Sequence, residues 1–271
     1  MKILCPTDFS EHSTIALEYA MNLANALDAE IHILSVYQVN KTATSLVSMD
    51  DIIRENHEDE MKKLVSGLGT LVKKDRLPLT KIMKGSTVNA ILKYAKHFEI
   101  DLIVMGTQGG NSLRTILLGS TTKKLAGKTP IPILAIPETV KHQLANNKIV
   151  LALDNKLLNN SGVFKVPEMI AKHLSQKIDI LHIKNNEDKE DKEAIPFDPF
   201  TSEYLGDTMG EIIIEEGVDT IQSIKNYAES NNIGMLIMVR REKSFLQKLL
   251  IVGNTAAELA KTNIPLMIVP E

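Results

Sequence analysis

Residues 105–121 read MGTQGGNSLRTILLGST and contain the chain's best candidates for chemistry. Gly106 and Gly109 follow the apolar run Leu102-Ile103-Val104-Met105, and Gly119-Ser120-Thr121 leads into the helical-looking Lys123-Lys124-Leu125-Ala126. A strand that empties into glycines and then into a hydroxyl-bearing helix start is suited to hold phosphate. Glycine lets backbone N–H groups approach an anion with no Cβ in the way, and the first amides of a helix have no intrahelical acceptor. Hydrogen bonds to a charged group contribute about 1.5–3 kcal/mol each. Three or four of them hold a nucleotide at micromolar concentration after the entropic cost of binding. The competing reading is a glycine-rich surface turn; the third glycine, followed by Ser120 and Thr121, favours phosphate.

Other catalytic constellations are scarce. The seven histidines show no His-x3-His pair and no Cys/His cluster, which argues against a zinc site. His32 and His182 lie in apolar strand-like runs and read as packed or hydrogen-bonded groups. Neither Gly-x4-Gly-Lys-Ser/Thr nor Gly-x-Ser-x-Gly occurs, so neither a P-loop hydrolase nor an esterase elbow is supported. Arg114, Lys123 and Lys124 bring positive charge to the glycine segment, as phosphate partners or as solvated side chains.

Composition bounds the frame around this segment. The chain has 271 residues, 44% of them hydrophobic, enough for one large core or two medium ones. A formal charge of −3 excludes nucleic acid and anionic membrane as the expected bulk partners. The single cysteine, Cys5, rules out an internal disulfide and suits a reducing cytoplasm. The opening Met-Lys-Ile-Leu-Cys-Pro-Thr-Asp turns polar too soon for a signal peptide, and no apolar stretch approaches membrane-spanning length. These features predict a cytoplasmic protein.

The elements that must position the glycines recur twice. Ile3-Leu4-Cys5-Pro6-Thr7-Asp8 is answered by Ile149-Val150-Leu151-Ala152-Leu153-Asp154, and Ile31–Val36 by Ile178–Ile183. Leu102–Gly106 is answered by Leu236–Arg240, and the closing Ile133–Ile136 by Leu266–Val269, each bracketed by prolines. The halves therefore span 1–138 and 148–271, joined by a polar stretch from Glu138 to Lys148. After Asp8, the residues Ala16, Leu17, Ala20, Leu23, Ala24 and Leu27 keep helical spacing, with Asp8 or Ser10 as cap. Val88, Ile91, Leu92 and Ala95 form a second helical face after Gly85-Ser86. Strands that are apolar nearly throughout are covered on both faces. Alternating βα units of this size predict an α/β fold with a five-stranded, doubly wound parallel sheet in each half. Ligands then bind beyond the strand ends where the winding reverses, which sets Asp8 opposite Gly106. The closing strands predict a further feature: an exposed apolar edge is an aggregation hazard, and pairing Ile133–Ile136 antiparallel with Leu266–Val269 removes both edges.

These residues resemble the universal stress protein family, in its tandem, two-domain form, over essentially the whole chain. The most specific element is the family's ATP-binding pattern Gly-x2-Gly-x9-Gly-Ser/Thr, matched by Gly106, Gly109, Gly119 and Ser120. The resemblance implies two Rossmann-like domains of the adenine nucleotide alpha hydrolase-like type, set as an intramolecular pseudo-dimer. It also implies that Pro6, Thr7, Asp8 and Val36 surround an adenine, that Met105 and Gly106 lie by the ribose, and that Gly109, Gly119, Ser120 and Thr121 meet the phosphates. Independently, Asp8 can accept a hydrogen bond from a ribose or adenine donor, and Val36 offers an apolar wall.

The second half departs from this pattern. Arg240 stands in place of Gly106 and Lys243 in place of Gly109, while Gly253-Asn254 keeps the register of Gly119-Ser120. Asp154 persists, but Ala152 and Leu153 replace Pro6 and Thr7. This half reads as a degenerate copy that supports the first; the alternative is an anion site made of the side chains of Arg240, Arg241 and Lys243. The acidic run 187–193 with Pro196 and Pro199 reads as a mobile connection before a strand at Glu211–Ile214. Together these observations predict an ATP-binding stress or regulatory protein with one competent site, any magnesium or manganese being carried in by the phosphates. A slow nucleotide hydrolase or nucleotidyl transferase and a non-nucleotide interaction protein are the alternatives. A flavin or dinucleotide binder is disfavoured by the lack of Gly-x-Gly-x-x-Gly after the first strand.

Overall fold

The computed structural model describes residues 1–39, 46–73, 75–107, 119–140, 148–154, 158, 161–184, 199–241 and 264–271. Strands β1 (Lys2–Thr7), β2 (Glu30–Tyr37), β3 (Leu79–Lys84), β4 (Leu102–Gly106) and β5 (Ile133–Ile136) belong to the first half. Helices α1 (Glu11–Leu27), α2 (Leu46–Gly67), α3 (Thr87–His97) and α4 (Ser120–Ala126) connect them. The second half contributes β6 (Lys148–Ala152), β7 (Ile178–Lys184), β8 (Met209–Glu216), β9 (Ile233–Arg240) and β10 (Leu266–Pro270). Its described helices are α5 (Lys165–His173), α6 (Pro199–Leu205) and α7 (Thr220–Ser230).

The ten strands of the described residues form one sheet in the order β3-β2-β1-β4-β5-β10-β9-β6-β7-β8. Each half is parallel and doubly wound, as the alternation of apolar runs and amphipathic segments requires. The halves meet where β5 pairs antiparallel with β10, with Ala135 opposite Leu266, Leu134 opposite Met267 and Ile133 opposite Ile268. The pseudo-dimer expected from the two closing strands is thus present within one chain, and the would-be edges lie in the middle of the sheet.

Burial explains why these segments adopt these elements. The six periodic residues of α1 are all buried, and each large aliphatic side chain among them stabilises the fold by about 1.5–3 kcal/mol. Ser10, not Asp8, is the cap of α1, its hydroxyl accepting from the Ser13 N–H at 3.3 Å. In α3, Ile91 and Ala95 are buried against the sheet, and Val88 and Leu92 pack on the same cluster. His32 and His182 are buried and hydrogen-bonded, His32 to Tyr94 at 2.9 Å and Glu30 at 2.6 Å, His182 to the Leu153 carbonyl at 3.1 Å.

Two readings of the second half need correction. Pro199 does not belong to the connection read as mobile; it opens α6, where proline's missing N–H costs nothing. The strand expected at Glu211–Ile214 is longer, Met209–Glu216, because Asp179 on β7 accepts from the Glu211 N–H at 2.9 Å and draws β8 in across a register shift. A Cβ on Gly210 would lie 2.2 Å from that Asp179 oxygen and 3.1 Å from the Ile178 carbonyl, so the crossing needs glycine. The acidic run 187–193 lies outside the described residues, and no described helix is long and apolar enough to cross a membrane.

Candidate functional site

The winding of the first half reverses between β1 and β4, which lie side by side and leave in opposite directions to β2 and β5. Five of the residues singled out by type and spacing stand at this carboxyl edge: Pro6 and Thr7 end β1, Asp8 follows, and Met105 and Gly106 end β4. Val36 lies one residue before the end of β2 and, with Met83 and Val88, packs on the cluster that contains Leu4, Leu34 and Met105. That cluster supplies an apolar wall on one face of the sheet.

A short network shapes the turn after β1. Asp8 is exposed, and its Oδ1 accepts from the Ser10 N–H at 3.1 Å and the Ser10 hydroxyl at 2.5 Å. Phe9 between them holds φ +63°, a conformation non-glycine residues seldom adopt. The Thr7 hydroxyl accepts from the Phe9 N–H and shares a 3.0 Å bond with Ser13. Thr7 therefore turns its side chain toward α1, and what it offers to the crevice is backbone. Asp8 keeps its carboxylate at the rim.

On the other side of the crevice, α4 begins immediately after Gly119, which serves as its cap with no side-chain bond. Ser120 is exposed, Thr121 half-buried and Thr122 buried, so the first two hydroxyls border solvent. Thr122, which sequence reasoning missed, donates its hydroxyl to the Gly106 carbonyl at 3.3 Å and ties the start of α4 to the end of β4. Gly109 lies outside the described residues.

Behind β2, on the sheet face opposite Val36, the His57 ring shares a 2.8 Å bond with the buried Ser35 hydroxyl and meets the rings of Phe9 and Tyr37, each at 5.4 Å between centroids. Burial holds the His57 imidazole below its usual pKa. This neutral aromatic group props the Phe9 turn from below, and no sequence spacing connects it to Asp8.

The corresponding edge of the second half is occupied by the chain itself. Arg241 meets Asp154, the counterpart of Asp8, at 2.8 Å and Glu271 at 3.3 Å. Arg240, the counterpart of Gly106, reaches into the first half and donates to the carbonyls of Ala126 at 2.6 Å and Thr129 at 3.0 Å. Both guanidinium groups thus have protein acceptors, which disfavours the anion site made from their side chains. Lys243, Gly253 and Asn254 lie outside the described residues.

The fold defines a tandem α/β protein built of two doubly wound halves, with Asp8 and Gly106 at the carboxyl edge of the first and Arg241 paired with Asp154 at that of the second. Residues 1–137 match the model of the universal stress protein family, and the chain belongs to that family. It is 29% identical over 148 residues to the universal stress protein MJ0531 of Methanocaldococcus jannaschii, an alignment covering 52% of this chain and 84% of that protein. It is also 29% identical over 158 residues to MJ0577 of the same organism, covering 50% and 93%. A universal stress protein from Archaeoglobus fulgidus superposes with a TM-score of 0.75 at 17% identity, over 99% of this chain and 98% of that one. The last match extends the shared fold to both halves.

Proposed function

We propose that the chain is a cytoplasmic stress-response protein that binds one ATP in its first half and acts through a nucleotide-dependent surface, with at most slow hydrolysis. The observation that carries the reading is the placement of Asp8 and Gly106 at the ends of the adjacent strands β1 and β4, where the winding of that half reverses, with Gly119-Ser120-Thr121 at the start of α4. Membership of the universal stress protein family supports it. In this reading Pro6 and Val36 flank the adenine, with Thr7 contributing main-chain atoms. Asp8 accepts from the ribose or base, Met105 and Gly106 lie by the ribose, and Gly109, Gly119, Ser120 and Thr121 receive the phosphates. The residues fit such a ligand: an apolar wall beside the exposed Asp8 carboxylate suits a flat base with a hydroxylated sugar. A divalent cation would enter on the phosphates.

Thermal denaturation tests this reading. A ligand at a hundred times its Kd stabilises the folded chain by about 2.7 kcal/mol, which raises the melting temperature by roughly 5 °C or more in a chain of this size. ATP with magnesium is expected to give such a shift, AMP a smaller one and adenosine the least. Equal shifts from adenosine and ATP would mean that the glycine segment contributes nothing, and no shift from any of them would remove the nucleotide altogether.

A further inference from the structure

The second half has no glycine where Gly106 stands in the first, and the arginine found there is committed elsewhere. Arg240 closes β9, level with Pro270 on β10. Because β10 runs antiparallel to β5, this end of the second half's sheet lies beside the turn that leads from α4 into β5. The guanidinium spans that turn, donating from Nη1 to Ala126 and from Nη2 to Thr129, across 114 and 111 residues of sequence. Ala126 ends α4, so a fixed positive charge from the other half satisfies a carbonyl that the helix itself leaves open. Thr129 is buried, and its own hydroxyl accepts from the Ile131 N–H at 3.0 Å, which holds the turn rigid up to β5.

The other end of α4 is tied as well, by Thr122 to the Gly106 carbonyl. A helix of this length is only about 10 Å long, and Leu125 within it is fully buried. Little slack remains between the Arg240 anchor and Gly119-Ser120-Thr121, the segment assigned to phosphate. We propose that Arg240 is a positioning residue for the nucleotide site of the first half: the second half has exchanged its own ligand loop for a brace that sets α4. The inference rests on the nucleotide reading above. It gives the degenerate half a specific task and makes phosphate binding and the interface between halves thermodynamically linked.

The test compares ATP and adenosine by titration calorimetry on the full chain, for wild type, Arg240→Met and Arg240→Lys. Adenosine makes no contact with the segment that Arg240 positions, so a loss of affinity confined to ATP separates positioning from general loosening. Arg240→Met is expected to weaken ATP roughly tenfold and leave adenosine within about twofold, with Arg240→Lys in between because one donor can still reach a carbonyl. Amide hydrogen exchange over 119–129 is expected to quicken in ligand-free Arg240→Met, which keeps the inference testable if the variant's melting temperature also falls. Unchanged ATP affinity in Arg240→Met, or equal losses for ATP and adenosine, would overturn the brace while leaving the nucleotide site standing. A wild-type chain that binds neither ligand would overturn the nucleotide reading itself, and the brace with it.

Discussion

Replacing Gly109 with valine is expected to reduce ATP affinity by roughly a hundredfold, the loss of one or two hydrogen bonds to a charged group at about 1.5–3 kcal/mol each. Gly109 is the second glycine of the Gly-x2-Gly-x9-Gly-Ser pattern, between β4 and α4. On the proposed reading, a β-branched side chain there would hinder the approach of main-chain amides to the phosphates. Connecting segments contribute little to the buried core, so the ligand-free melting temperature is expected to stay near that of wild type. Equilibrium titration of the purified variant checks the outcome. A folded Gly109→Val chain that binds ATP as tightly as wild type would remove this glycine from the site.

The largest effect on stability is expected at the seam between the halves. Leu134 and Met267 face each other across the antiparallel β5–β10 pair, and both are fully buried. Met267→Asp sets an unpaired carboxylate in that seam, costing several kcal/mol or forcing the group to take up a proton. Native domains have only about 5–15 kcal/mol in total, so the variant is expected to lose most of its resistance to denaturant. Met267→Leu conserves volume and is expected to cost under about 1.5 kcal/mol. Urea unfolding of the two variants distinguishes the cases. Wild-type stability in Met267→Asp would mean that the seam is not part of the folded core.

Much of this architecture was legible in the residues. The periodic apolar positions of α1 and α3 and the apolar runs of the strands required elements covered on both faces. The matched prolines around Ile133–Ile136 and Leu266–Val269 pointed to the seam, because two homologous edges need a partner. The reversal of winding followed from the same pattern, with Asp8 just after β1 and Gly106 at the end of β4. Other features depended on contacts that no local spacing records. The clamp from Arg240 to Ala126 and Thr129 joins residues more than a hundred positions apart, and it arises only because the seam is antiparallel. The family resemblance sets Thr7 by the adenine, but no spacing shows that its hydroxyl is held by Ser13 in the first turn of α1. Pro199 looked like a loop residue because proline breaks helices in their interior, whereas at a first turn it starts one.

The central claim is one competent nucleotide site per chain, in the first half. The two halves share one pattern, but in the second Arg241 pairs with Asp154, the counterpart of Asp8, and Arg240 stands where the first half has Gly106. Calorimetric titration of the full chain with ATP and magnesium, at known protein concentration, measures this directly. The account predicts saturation at one ATP per chain, with the same stoichiometry in Arg241→Ala. Saturation at two per chain, or no saturable binding, would contradict it.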